Sequence, residues 1–312
     1  NCLNNEYRPS GGSPMPLHIT FEEHPASSKV KLEAVLNEHD EWFHKSDIAR
    51  DVLMQSFYEP LFEPGTIDFM MSYICLHWLD TTDVPEGGTI SDWKKLGETD
   101  EKDASNNLEW THINEETAPK HVYEAWRRNL AHKHLAKFLA LRSRELRPGA
   151  ELLLVMVGHP HDFATPGPLS RAMKRCIGRG ELREDVLHQT TVPYFLRTVS
   201  DVEAALKVAA TLEVDGSIES GGKETPGSLL QLVDCRSVQA ITKGDDDSLG
   251  GAFDLFWSIH SHSVERAKPT MKELQCIKTE TRRVFDEIYD GRVGIPSSFV
   301  ACTLRRRTRK RW

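Results

Sequence analysis

The sequence has no pair of cysteines spaced as C-x-x-C, and its six, Cys2, Cys75, Cys176, Cys235, Cys276 and Cys302, are scattered. In a chain of 312 residues that pattern predicts reduced thiols of a cytoplasmic protein and excludes a disulfide framework. No apolar run approaches the roughly 18 residues of a membrane span, and no signal peptide opens the chain. No internal repeat occurs at solenoid periods. Net positive charge is also missing. The formal charge is -8, and the basic residues cluster only at the end, at Arg305, Arg306, Arg307, Arg309, Lys310 and Arg311. That cluster is read as a solvated terminus. A nucleic-acid surface would need basic and aromatic residues interleaved elsewhere, and no such stripe recurs. The first residue is Asn, not Met, so the sequence is taken as a fragment or a processed product.

What is present is ordinary for a globular enzyme. The hydrophobic fraction is 39%, with seven Trp and twelve Phe for a core or an aromatic pocket. A chain this long buries roughly three quarters of its unfolded surface and needs no covalent staples.

Asn1 to Pro16 is polar and turn-rich. A short strand follows at Leu17 to Phe21, then a helix around Val30 to Asn37. A further strand is expected from Gly65 to Tyr73. Thr81 to Ala118 is acidic and reads as a long surface loop. From Val122, apolar residues including Trp126, Leu135, Phe138, Leu139 and Leu146 recur at the helical period, until Arg147-Pro148-Gly149 terminates the pattern. Leu152 to Val157 is a continuous apolar run, as expected of a strand covered on both faces. Helix, turn and buried strand together predict an α/β fold with a parallel sheet. Later elements are a helix at Val199 to Ala210, a strand at Leu229 to Ile241, a helical region from Val264 to Tyr289 broken near Pro269, and a last strand at Ser298 to Leu304.

Five segments in order resemble one family. They are Ser56-Phe57-Tyr58-Glu59-Pro60-Leu61-Phe62; Leu76-His77-Trp78-Leu79; the block Phe138, Leu139, Arg142, Glu145, Leu146 and Gly149; Val192-Pro193-Tyr194 followed by Ser200-Asp201-Val202; and Arg266-Ala267 with Pro269. Together they resemble the plant-type S-adenosylmethionine-dependent carboxyl methyltransferases, the salicylate, benzoate and theobromine (SABATH) group. The resemblance implies a Rossmann-like methyltransferase sheet with a helical cap, N-terminally truncated. The family's Asp-x-Gly-Cys-Ser-Ser-Gly cofactor loop has no counterpart here, and the resemblance places it upstream of Leu17. The implied division is core at 1–159, cap at 160–190, core at 191–249, cap at 250–290, and a last strand with the basic tail at 291–312.

The resemblance also implies site residues. Glu23, with His24 beside it, would bind the ribose hydroxyls of S-adenosylmethionine, because a carboxylate at a strand end accepts from both. Ser56 and Phe57 would hold the adenine, through a hydroxyl and an aromatic face. His77 and Trp78 would grip the acceptor at a strand's carboxyl edge, the indole N–H suiting a carboxylate oxygen. Ile74 would form an apolar pocket wall, and Tyr194 and Trp257 would face the acceptor from the cap. The implied reaction is methyl transfer to the carboxylate, or a ring nitrogen, of a small acid, with a homodimer as the assembly. No catalytic base and no metal ligand are expected. Two other readings compete. One is an inactive relative that binds a small acid or a partner protein. The other is a metal hydrolase built on His-x-His pairs, at His132/His134, His159/His161 and His260/His262.

Overall fold

β-Branched and aliphatic runs set the strands of this protein, and a computed structural model shows how they pair. It describes residues 17–23, 27–38, 48–79, 124, 127–159, 167–190, 192–212, 229–242, 248–289 and 295–308. The chain divides into two units, Asn1–Glu63 and Pro64–Trp312.

In the first unit, β1 (Leu17–Glu23) pairs in parallel with β2 (Ile48–Met54), and α1 (Lys29–Glu38) connects them. Strand β2 was not expected. Its signal, Ile48-Ala49 and Val52-Leu53-Met54 around Arg50-Asp51, is short and interrupted by two charges. Both charges are bonded: Arg50 donates to the Leu36 carbonyl and to Asn37, and Asp51 accepts from His18 at 2.8 Å.

The second unit carries a four-stranded sheet in the order β3-β4-β6-β5. Its strands are β3 (Ile67–Tyr73), β4 (Leu146–Val157), β5 (Leu230–Thr242) and β6 (Ile295–Arg306). β3 and β4 are parallel, but β6 runs antiparallel to both of its neighbours. The expected parallel pairing holds for β1–β2 and β3–β4, and the antiparallel β6 makes the four-stranded sheet mixed. An apolar run signals burial and says nothing about strand direction. Along β4, Leu152, Leu154 and Met156 are fully buried while Leu153 and Val155 are half-buried, so its two faces are covered unequally. Arg147-Pro148-Gly149 lies within the start of β4 and forms no separate turn.

Two further expectations change. Cys235 and Cys302 are register partners on β5 and β6 and are joined as a disulfide, which overturns the reading of six separate thiols. Strand pairing brings together two residues 67 positions apart, which spacing in the sequence does not reveal. The basic cluster, too, begins inside β6. Arg305 pairs with Glu151 across the sheet, and Arg306 donates to the carbonyls of Arg144 and Leu146. Arg309, Lys310 and Arg311 lie outside the described residues.

A short π-helical segment, Arg127–His132, runs into α2 (Lys133–Glu145). Leu135, Phe138 and Leu139 of α2 are buried, as the periodicity predicts. Val122 and Trp126 lie outside the described residues. α2 packs on α5 (Val199–Ala209). α5 starts with a capping box in which the Thr198 hydroxyl accepts from the Asp201 N–H and the Asp201 carboxylate accepts from the Thr198 N–H.

The remaining helices are α3 (Gly167–Gly178), α4 (Glu184–Gln189), α6 (Ser248–Arg266) and α7 (Met271–Tyr289). α3 and α6 both pack on α7, around Met173, Cys176, Phe253, Phe256, Ile277 and Phe285. Ion pairs close the rim: Arg175 with Glu287 at 2.8 Å, Arg179 with Glu280 at 3.1 Å, and Arg183 with Glu273 at 2.9 Å. The break between α6 and α7 falls at Lys268-Pro269, where the sequence places it.

Candidate functional site

Because β1 and β2 are parallel and Glu23 pairs in register with Met54, their carboxyl ends coincide. Glu23 is thereby set beside Gln55, whose N–H donates to the Glu23 carbonyl at 3.1 Å, and next to Ser56 and Phe57. The Ser56 carbonyl and hydroxyl accept from the N–H groups of Glu59 and Tyr58, which shapes a tight turn. Phe57 stands half-buried with its ring 4.5 Å from that of Tyr58. The Glu23 carboxylate accepts from Ser27 at 3.0 Å. Three of the four expected cofactor residues thus share one strand edge. His24 lies outside the described residues.

In the second unit, β3 ends at Tyr73 and the backbone turns sharply. Ile74 adopts φ 53°, the left-handed region that a β-branched side chain strongly disfavours. Its N–H donates to the Val155 carbonyl at 2.7 Å, which holds the turn. The turn delivers Leu76-His77-Trp78-Leu79 to the segment Val192–Leu196. Phe195 N–H donates to the His77 carbonyl at 2.7 Å, and Leu79 N–H to the Pro193 carbonyl at 2.8 Å. Trp78 and Tyr194 form an isolated antiparallel bridge.

Four of the five expected acceptor residues meet in one apolar cluster. Tyr194 is buried in it, and Ile74, Trp78 and Trp257 pack against it half-buried. The rings of Trp78 and Tyr194 stand edge-on at 6.4 Å, and Trp257 stacks on Phe253 with Lys278 over its face. His77 is buried beside Trp78, with ring centroids 5.1 Å apart.

One positioning residue was not anticipated. Arg197 is fully buried, and its guanidinium donates to the Leu76 carbonyl and, at 2.7 Å, to the Ala131 carbonyl. It therefore ties the segment presenting His77 and Trp78 to the π-helical segment. The available signal was a lone arginine amid Val192-Pro193-Tyr194-Phe195-Leu196.

The histidine pairs separate into other roles. His132 bonds the buried Asp201 at 2.8 Å, and His134, two residues on, is buried. Burial pushes the Asp201 carboxyl up, but hydrogen bonds from His132, Thr198 and Arg127 outweigh it and hold it well below the usual range. His260 bonds the Phe256 carbonyl, while His262 is exposed beside Glu265. His159 is described and His161 is not. Among the described residues, no histidine joins a group of three metal-capable side chains.

The fold is that of the Rossmann-like methyltransferases. Loganic acid methyltransferase with SAH superposes with a TM-score of 0.57 at 14% identity, covering 94% of this chain and 75% of that one. A family model described as SAM dependent carboxyl methyltransferase matches residues 4–225, and the chain belongs to that family. Among curated relatives, O-methyltransferase acrG of Aspergillus aculeatus is 28% identical over 244 residues, 74% of this chain and 57% of the relative. Gibberellic acid methyltransferase 2 of Arabidopsis thaliana is 27% identical over 166 residues, 48% of this chain and 38% of the relative. The chain thus spans about half the length of the curated relatives it matches. Among the described residues, no helix is long and apolar enough to cross a membrane.

Proposed function

We propose that this chain methylates the carboxylate of a small organic acid with S-adenosylmethionine as donor. The observation that carries the reading is the convergence of Ile74, Trp78, Tyr194 and Trp257 on one cluster, in a chain of the carboxyl methyltransferase family.

The residues at the β1–β2 edge suit the adenosine half of the donor. A carboxylate at a strand end accepts from vicinal hydroxyls, and the half-buried Phe57 ring offers a stacking face. When bound, S-adenosylmethionine supplies a methyl group on a positively charged sulfur. A carboxylate acceptor is already ionised at neutral pH, so no general base is required of the protein. The indole N–H of Trp78 holds one acceptor oxygen, and Tyr194 and Trp257 grip the carbon skeleton and exclude water. Orientation of this kind contributes up to roughly 7–11 kcal/mol to rate. α3, α4, α6 and α7 act as the cap. Its site of action is taken as the cytoplasm, with Cys75, Cys176 and Cys276 as unbridged thiols. A homodimer completes the reading.

The test is transfer of labelled methyl from S-adenosylmethionine to a panel of small aromatic, aliphatic and terpenoid acids. The expected product is a base-labile methyl ester, lost in Glu23→Ala. A base-stable product would move the acceptor atom to nitrogen. A panel without labelled product overturns the reading.

A further inference from the structure

Helix α3 ends in a Schellman motif. Gly180 N–H donates to the Ile177 carbonyl at 2.8 Å, and Glu181 N–H donates to the Cys176 carbonyl at 3.0 Å. The motif requires φ 70° at position 180, which glycine adopts without strain. Its consequence is that Glu181 folds back over Cys176. Helix α7, packed against α3, brings Cys276 to the same point. The Cys276 sulfur lies 3.1 Å from the Cys176 sulfur and 3.3 Å from Glu181 Oε2, and the three ligand atoms all lie within 4.8 Å of one another. Cys276 has one thiol proton and two acceptors for it. That proton sits where three ligand atoms converge.

We propose that Cys176, Glu181 and Cys276 bind a thiophilic divalent cation of the zinc type and so pin α3 to α7. Two sulfurs and a carboxylate oxygen are three of the four positions of a tetrahedral site, with water as the fourth. Tetrahedral thiolates at about 2.3 Å from the metal stand about 3.8 Å apart, so the sulfurs must part slightly. Cys276, half-buried at the helix edge, can turn to allow it. The two helices meet through the Cys276 thiol proton until a cation displaces it. Binding converts two thiols to thiolates and releases two protons to solvent. Two thiolates, one carboxylate and a divalent cation leave one negative charge. Arg179 answers it, already donating to Glu181 at 2.7 Å and to the Cys176 sulfur at 3.6 Å. Glu280 and Glu287 hold Arg175 and Arg179 in place around the site.

The experiment titrates the full chain, reduced and under nitrogen, with cobalt(II) as the probe. One equivalent should produce sulfur-to-cobalt charge-transfer absorption, reversed by zinc. Cys276→Ser should abolish most of that absorption, and Glu181→Gln should weaken binding about tenfold. Glu181 is surface-exposed, so that variant folds irrespective of the outcome, and circular dichroism checks Cys276→Ser. A reduced chain with no charge-transfer band overturns the proposal. So does a band unchanged in Cys276→Ser, which would assign it to other cysteines.

Discussion

Trp78 and Tyr194 face one another across an isolated antiparallel bridge, with their rings edge-on at 6.4 Å. One comes from the turn after β3, the other from the extended segment before α5. Neither segment is a regular element, yet their pairing places two aromatic rings with polar tips in a single apolar cluster.

Trp78→Phe should lower kcat/KM for the acid substrate by one to two decades and leave stability nearly unchanged. The substitution keeps an aromatic ring and removes the indole donor. A hydrogen bond to a charged group is worth roughly 1.5–3 kcal/mol, and about 1.4 kcal/mol is tenfold in rate. Ester formation and Tm measured on the same samples decide it. A large fall in Tm with kcat/KM intact would make Trp78 a packing residue and move the acceptor contact to Tyr194 or Trp257.

At Ile74 the usual order of substitutions should invert. Alanine normally outperforms glycine, because glycine has more backbone entropy to lose. Here φ is 53°, where a Cβ costs about 1–2 kcal/mol. Ile74→Gly should therefore unfold at higher urea concentration than Ile74→Ala, by about 1 kcal/mol. If the alanine variant is the more stable, the turn after β3 does not hold its left-handed geometry in solution.

Arg197→Met should destabilise the chain by about 2–6 kcal/mol. Each buried carbonyl left without its donor costs about 1–3 kcal/mol, and two lose one here, at Leu76 and Ala131. Arg197→Lys should recover part of the loss, since an ammonium reaches one carbonyl but lacks the planar fork for both. Chemical denaturation of the three proteins gives the ranking. Equal stability of the methionine variant and the parent would show that the carbonyls find other donors.

The acid side of the stability profile should depend on Glu273. Its carboxylate accepts from Arg183 at 2.9 Å and closes a capping box with Thr270 at the start of α7. The Arg183 contact is the main cause that brings its pKa from 4.5 down to about 2. A depressed folded-state value means stability that is fully present above pH 4.5 and is lost as pH falls towards 2. Glu273→Gln should show a shallower loss of Tm across that window than the parent. Parallel curves for the two proteins would assign the acid sensitivity to other carboxylates, such as Asp201.

Local chemistry determined much of this protein from sequence. Apolar periodicity located α2, Pro269 marked the break between α6 and α7, and the run Leu152 to Val157 marked the buried strand, because side-chain patterning follows from which face meets the core and proline does not continue a helix. The ordered motifs around Ser56, Trp78 and Tyr194 named the family and most of the candidate residues. Strand β2 was missed because Arg50 and Asp51 interrupt its apolar pattern. Strand direction, the Cys235–Cys302 pairing, the role of Arg197 and the meeting of Cys176 with Cys276 were decided only by tertiary structure. Each depends on which distant segments become neighbours, by 67 positions for the disulfide and 100 for the second cysteine pair. No local propensity encodes that choice; it follows from the burial of whole strands and helices against one another.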